Sequence, residues 1–140
     1  MFDDEYGNKL STNSREAVDL YNKGTHQFLG AEPGVENSFR SAIDADPEFA
    51  LAHIGYAREM QLRGRSTDMR QALKQALRYA RNLSEREQSH LNVSSLLLSG
   101  KSAEAKLAVY EHVRLWPRDV LIAQMCTSVF GLIGFSGLPG

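Results

Sequence analysis

Apolar residues recur three and four positions apart along most of the chain. The stretch 66–81 illustrates the spacing, since one side of its helical wheel carries Leu73, Ala76, Leu77 and Ala80. This spacing is typical of an amphipathic helix with one buried face. Alternating β-branched and polar residues between turn signals, which would indicate strands, are absent from the sequence. The pattern predicts an all-α protein.

Seven segments share this spacing, and signals for helix starts and ends separate them. Ser84 and Glu87, three residues apart, match the capping box that begins a helix. Glycine follows several of the segments, and its freedom to adopt a positive φ suits a helix terminus. The predicted helices span residues 14–29, 34–45, 48–63, 66–81, 84–99, 102–115 and 118–133.

The helix boundaries repeat along the chain. Glycines at positions 30, 64, 100 and 134 are 34, 36 and 34 residues apart. Pro47 follows Gly30 by 17 residues, and Pro117 follows Gly100 by the same number. Two helices repeating about every 34 residues is the period of the tetratricopeptide repeat. The sequence therefore predicts an α-solenoid of antiparallel helix hairpins, whose stability is a sum of repeat terms and neighbour-interface terms.

This period divides the chain into an N-terminal arm, residues 1–13, and a repeat domain, residues 14–140. The predicted repeats are 14–47, 48–83, 84–117 and the first helix of a fourth repeat within 118–140. The second helix of the fourth repeat is missing, so the apolar face of helix 118–133 must be covered by something else. We expect either that the chain is part of a longer protein or that it self-associates through this helix.

Four segments carry a closer resemblance: "LSTNSREAVDLY", "DADPEFALAHIG", "SEREQSHLNV" and "WPRDVLIAQMCTSVFGLIGF". Together they resemble the N-terminal part of the tetratricopeptide repeat protein 38 family. That resemblance implies a longer chain of all-helical repeats and no particular activity. The resemblance to tetratricopeptide-repeat proteins in general implies a concave binding groove lined by the first helix of each pair.

Such a groove would bind an extended or helical peptide segment of a partner protein. Carried over to this sequence, its lining on helix 48–63 is Leu51, Ile54, Arg58, Gln61 and Leu62. Helix 84–99 adds Glu87, His90, Ser94, Leu97 and Leu98, and helix 118–133 adds Leu121, Gln124, Ser128 and Leu132. The alternative is that some of these residues pack against later repeats and contact no ligand.

A basic stripe lies on the polar side of helix 66–81. It consists of Arg70, Lys74 and Arg78, spaced four residues apart, with Arg81 nearby. Second helices of such pairs form the outer side of a solenoid, which favours a solvated face. The alternative is a docking surface for an acidic partner or for nucleic acid.

Residues that could support chemistry are scattered. Asp44 and Asp46 precede Pro47 without the further oxygen ligands that a metal site needs, so we interpret them as the end of a helix. The four histidines stand singly on four predicted helices, at positions 26, 53, 90 and 112, without zinc-ligand spacing. His53 and His112 fall on core positions of the repeat, as does Cys126. No catalytic residue, metal site or cofactor is predicted.

Composition adds limits on partners and location. Sixteen Lys and Arg against 17 Asp and Glu give a net charge of −1, which argues against nucleic acid and anionic membranes as partners. A single cysteine and the lack of a secretory signal fit a cytoplasmic location. The apolar stretch 120–138 contains Gln124 and Thr127, which favours a buried helix over a membrane span.

These observations predict a non-enzymatic scaffold that binds protein or peptide segments in its concave groove. One alternative is a helical accessory domain of a larger enzyme, with catalytic residues outside this chain. Histidines clustered with acidic residues in a pocket would favour that alternative. A second alternative is that the basic stripe binds an acidic partner or nucleic acid.

Overall fold

A computed structural model of the protein describes residues 1–127, and this part contains seven α-helices. They are α1 (Arg15–Leu29), α2 (Val35–Ala45), α3 (Ala50–Leu62), α4 (Ser66–Arg78), α5 (Glu85–Leu98), α6 (Ser102–Leu115) and α7 (Val120–Thr127). The all-α prediction is confirmed. The rest of the predicted helix 118–133, and with it Ser128 and Leu132, lies outside the described residues.

The four odd-numbered helices begin at a constant interval. Their first residues are Arg15, Ala50, Glu85 and Val120, which are 35 residues apart in each case. The capping box predicted at the start of α5 is present, because Ser84 accepts a hydrogen bond from the Glu87 amide and Glu87 accepts one from the Ser84 amide. Gly64 and Gly100 follow α3 and α5 with φ of 72° and 77°, a conformation that favours glycine.

The N-terminal arm is not helical and differs from the strand-free prediction. Two short strands, β1 (Phe2–Asp3) and β2 (Lys9–Leu10), pair antiparallel across a turn. The Asp4 carboxylate holds the turn by accepting from the amides of Tyr6 and Asn8, each at 2.9 Å. Strands of two residues are too short to show a period-2 pattern, so no spacing of residues predicts them.

Each helix packs against the next one along the chain, and the odd-numbered helices also contact one another. Helix α1 contacts α3, α3 contacts α5, α5 contacts α7, and α7 contacts α1. The contacts therefore join the first and last of the described odd-numbered helices. In an open row of hairpins each pair would contact mainly its neighbours.

Phe39 of α2 packs against both α1 and α3. Its ring is fully buried and lies against Gly24 of α1 and Gly55 of α3. A Cβ atom at Gly55 would lie 2.6 Å from that ring, and one at Gly24 would lie 2.9 Å from it. The aromatic side chain therefore fits only because both neighbouring helices present a bare backbone there.

The apolar face of α7 is covered by this chain as far as it is described. Leu121, Ile122 and Met125 are buried against the core. Self-association through helix 118–133 stays a prediction. None of the helices in residues 1–127 has the length and apolar character needed to span a membrane.

Candidate functional site

The N-terminal arm crosses the beginnings of the odd-numbered helices. Asn8 donates to the Arg118 carbonyl just before α7, at 2.8 Å. Arg86, in the first turn of α5, donates to the Lys9 carbonyl at 2.9 Å. The Thr12 hydroxyl donates to Asp46, shortly before α3. These contacts hold residues 8–12, the second strand of the hairpin and its neighbours, across three separate elements.

Glu87 joins the arm to α5 most directly. Its carboxylate accepts from the Ser11 amide at 2.9 Å and also from the Ser11 hydroxyl. The same carboxylate accepts from the Ser84 amide and hydroxyl, so it completes the capping box as well. Next to it, the Leu10 side chain is fully buried among residues of α1, α2, α3 and α7. The arm thus contacts the helices through its backbone, the Asn8 amide, two hydroxyls and one apolar side chain.

A buried ionic cluster lies beneath the arm, centred on Asp119. Its Oδ2 atom accepts from Arg86 Nη1 at 2.8 Å, from His90 Nδ1 at 2.9 Å and from His112 Nε2 at 2.9 Å. Ser89 Oγ lies 2.7 Å from the other nitrogen of His112. Asp119 and the three side chains that share its Oδ2 atom are buried. We call Arg86, His90, His112 and Asp119 the Asp119 cluster.

The surroundings set the protonation of this cluster. Burial by itself would raise the pKa of Asp119, but His90, His112 and Arg86 hold that pKa well below its usual range. Burial lowers the pKa of His90, so its imidazole stays neutral. With Asp119 ionised, both histidines donate to it. The Nε2 atom of His90 is then left without a hydrogen-bond partner.

His90, His112 and Asp119 are also the kind of side chains that ligate zinc. One ligand atom from each lies within 4.8 Å of the others. Arg86, however, already neutralises the carboxylate, and a divalent cation would be placed beside its guanidinium in the interior. The hydrogen-bond geometry therefore fits an internal ion-pair network better than a metal site. None of the three lines either of the surface clefts described below.

The sequence did not indicate this cluster. The helical spacing places His90 and His112 singly on two helices and gives no signal at Asp119. The buried position predicted for His53 and His112 is confirmed. Arg86 and His90 are four residues apart and so share a face of α5, which is the one local signal that could have pointed to the site. The approach of α6 and Asp119 to that face depends on the tertiary structure.

Most residues predicted to line the concave groove lie in the interior. Those buried are Leu51, Ile54, Arg58, Glu87, His90, Ser94, Leu97, Leu98 and Leu121, whereas Gln61 and Gln124 are half-buried and Leu62 is exposed. The chain itself covers them. Arg58 donates to the Leu121 carbonyl at 2.8 Å and to Gln124 at 3.1 Å, and it lies 4.8 Å from the Phe28 ring centre. Burial lowers the pKa of Arg58 to about 10.

The basic stripe on α4 lines two open clefts. Lys74 and Arg78 border a cleft of about 570 Å³ between α2 and α4, with His53 and Tyr56 of α3 also in its lining. We call it the outer cleft. Arg78 and Arg81 border a second cleft of about 830 Å³, which we call the arm cleft because the end of the arm also lines it. Arg70 lines neither cleft and lies near the Thr67 hydroxyl, at 3.5 Å.

The two aspartates before Pro47, Asp44 and Asp46, differ in their exposure and in their hydrogen bonds. Asp44 is exposed, whereas Asp46 accepts from the Thr12 hydroxyl and from the Glu48 amide at 3.1 Å. Asp46 therefore connects the arm to the joint between α2 and α3. This is the structural role expected for a residue at the end of a helix.

Comparisons with protein-family models, with curated proteins and with solved structures found no match to this chain.

Proposed function

We propose that this chain is a helical-repeat scaffold of the tetratricopeptide type that binds extended segments of partner proteins. The surface proposed to bind them lies across the beginnings of α1, α3, α5 and α7. The observation that carries the proposal is the arm, whose second strand and flanking residues, Asn8 to Thr12, already lie there. Their contacts use main-chain groups, the Asn8 amide, the hydroxyls of Ser11 and Thr12 and one buried leucine, which are features that a partner segment also offers.

The arm would act as an intramolecular ligand of this surface. Because the arm is attached to the chain, it competes with a partner segment for this surface at a high effective concentration. A partner must therefore bind more tightly than the arm, or bind after the arm has been released. A partner segment suited to the surface carries a leucine followed by a serine. The leucine would replace Leu10, and the serine would take over the hydrogen bonds of Ser11 with Glu87.

The experiment tests whether a segment supplied in trans can replace the arm. Leu10→Asp in the full chain should release the arm, because a carboxylate cannot be buried among apolar residues without a partner. A fluorescent peptide with the sequence of residues 1–14 should then bind this variant at least about tenfold more tightly than it binds the native chain. Fluorescence anisotropy measures both affinities.

Two controls keep the result interpretable. A peptide carrying the same Leu10→Asp change should bind neither chain. If the variant unfolds, a protease site inserted between Asn13 and Ser14 of the native sequence allows the arm to be cut while the protein is folded. The labelled peptide should then exchange into the cut protein. The proposal would be contradicted if the folded variant did not bind the peptide. It would also be contradicted if the labelled peptide did not replace the cut arm.

A further inference from the structure

The outer cleft contains cations that the chain does not neutralise. Lys74 and Arg78 are exposed, and within residues 1–127 neither forms an ion pair. The carboxylate in the lining, Asp68, is paired with Arg65 at 2.6 Å. Arg40, on the opposite side, is paired with Glu36 at 2.7 Å. The cleft therefore carries an excess positive charge that comes from α4.

The lining contributed by α3 is polar, neutral and held in place. His53 donates from Nε2 to the Pro47 carbonyl at 2.8 Å and stacks on Tyr79 at 5.9 Å. Burial lowers the pKa of His53, so this side chain adds no charge at neutral pH. The Tyr56 hydroxyl accepts from Arg40 at 3.0 Å. A ligand would meet a preformed surface, which reduces the entropy lost on binding.

The spacing of the two cations matches an extended peptide. Lys74 and Arg78 are four residues apart on one helix, so their Cβ atoms are about 5–6 Å apart. In an extended segment, alternate side chains lie on the same side about 6.6 Å apart. Two acidic residues separated by one residue can therefore face Lys74 and Arg78 at the same time.

The neighbouring cleft distinguishes a protein segment from nucleic acid. The arm cleft shares Arg78 with the outer cleft, but Asp46 and Glu48 also line it. A continuous phosphate backbone leaving the outer cleft in that direction would meet these carboxylates. A short acidic stretch in a peptide, followed by polar residues, meets no such repulsion.

We propose that the outer cleft binds an extended acidic protein segment, in which carboxylates at alternate positions pair with Lys74 and Arg78. This site is separate from the surface under the arm, and it does not depend on the arm being released. A result that contradicts one proposal therefore does not contradict the other.

The test uses the full native chain and a labelled peptide with glutamates at alternate positions, Gly-Ser-Glu-Ala-Glu-Ser-Gly. The double variant Lys74→Glu with Arg78→Glu should weaken binding at least about tenfold, because both cations are replaced by anions. Affinity for the native chain should also fall as salt is raised from about 50 mM to about 300 mM. Both quantities follow from fluorescence anisotropy, and circular dichroism checks that the exposed substitutions leave the fold intact.

Arg70→Glu is the matched control, since it makes the same kind of charge change on the same helix outside both clefts. It should leave peptide affinity within about twofold. A peptide with glutamine in place of both glutamates should not bind. If Arg70→Glu and the double variant lose peptide affinity equally, the proposal is overturned. The result would then indicate attraction by the overall positive charge of α4. Absence of peptide binding, or tighter binding of a labelled oligothymidylate that the double variant abolishes, would overturn it as well.

Discussion

Asp119 shows how one buried charge organises several parts of this molecule. An ion is tolerated in a protein interior only when partners replace the water it has lost. Arg86 and His90 from α5 and His112 from α6 provide those partners, and Arg86 also donates to the arm. Loss of the carboxylate would leave the Arg86 guanidinium buried without a counter-ion. Breaking a buried pair in this way typically costs about 3–5 kcal/mol.

Stability is expected to fall in two stages as the pH is lowered. Because burial lowers the pKa of His90, the unfolded chain takes up a proton there at a pH where the folded chain does not. The contribution of His90 is therefore complete above about pH 6.5 and decreases below it. The pKa of Asp119 is held well below its usual range, so a second loss begins below about pH 4. Urea midpoints measured in steps from pH 7.5 to pH 3 should show both stages.

The variant His90→Asn isolates the contribution of His90 to the pH dependence of stability. The asparagine amide can still donate to Asp119, but it does not titrate. The slope of stability against pH between about pH 7 and pH 5 should become shallower in His90→Asn, and the part due to His53 should remain. A native chain equally stable at pH 7.5 and pH 5 would contradict the prediction.

At the scale of the helices, close packing depends on two glycines that the repeat pattern did not identify. Ala42 of α2 and Ala57 of α3 are small residues that are fully buried in the core. Gly24 and Gly55 make room for the Phe39 ring, and this requirement follows from the position of a side chain on another helix. The spacing of apolar residues along the chain predicts which face of a helix is buried. It does not predict how closely the backbone of a neighbouring helix approaches that face.

Gly55→Ala should destabilise the protein, although alanine favours helices by about 1 kcal/mol over glycine. The added methyl group would overlap the Phe39 ring, and overpacking of a core costs about 1–3 kcal/mol. Urea denaturation of Gly55→Ala, Phe39→Leu and the double variant measures the coupling between the two sites. The Gly55→Ala cost should become smaller when Phe39 is replaced by leucine. An increase in stability on Gly55→Ala alone would contradict this packing argument.

At the scale of the molecule, contacts between distant parts of the chain should make unfolding cooperative. The repeat period predicted a sum of nearly independent terms. In the described residues, however, α1 contacts α7, and the arm contacts α5 and the start of α7. These contacts link α1 to α7. Local unfolding of either helix therefore also removes contacts from the other helix.

The chain should therefore unfold in one transition. Trp116, the single tryptophan in the sequence, follows the end of α6 and contacts His112 at 5.0 Å between ring centres. Its fluorescence and the far-ultraviolet circular dichroism should give the same urea midpoint. Leu10→Asp weakens the link made by the arm, and we expect the two midpoints to separate in that variant. Separate midpoints in the native chain would show that the repeats unfold independently.

The sequence determined the local features of this protein. Helix positions, a period of about 34 residues, the capping box at Ser84 and the buried face of each helix follow from spacing, since neighbours three and four residues apart share a face. Only the tertiary structure decided where those faces meet. The Asp119 cluster, the fit of Phe39 against two glycines and the covering of the predicted groove all join residues from different helices. Their geometry depends on how the helices approach one another, which the spacing of apolar residues along the chain does not record.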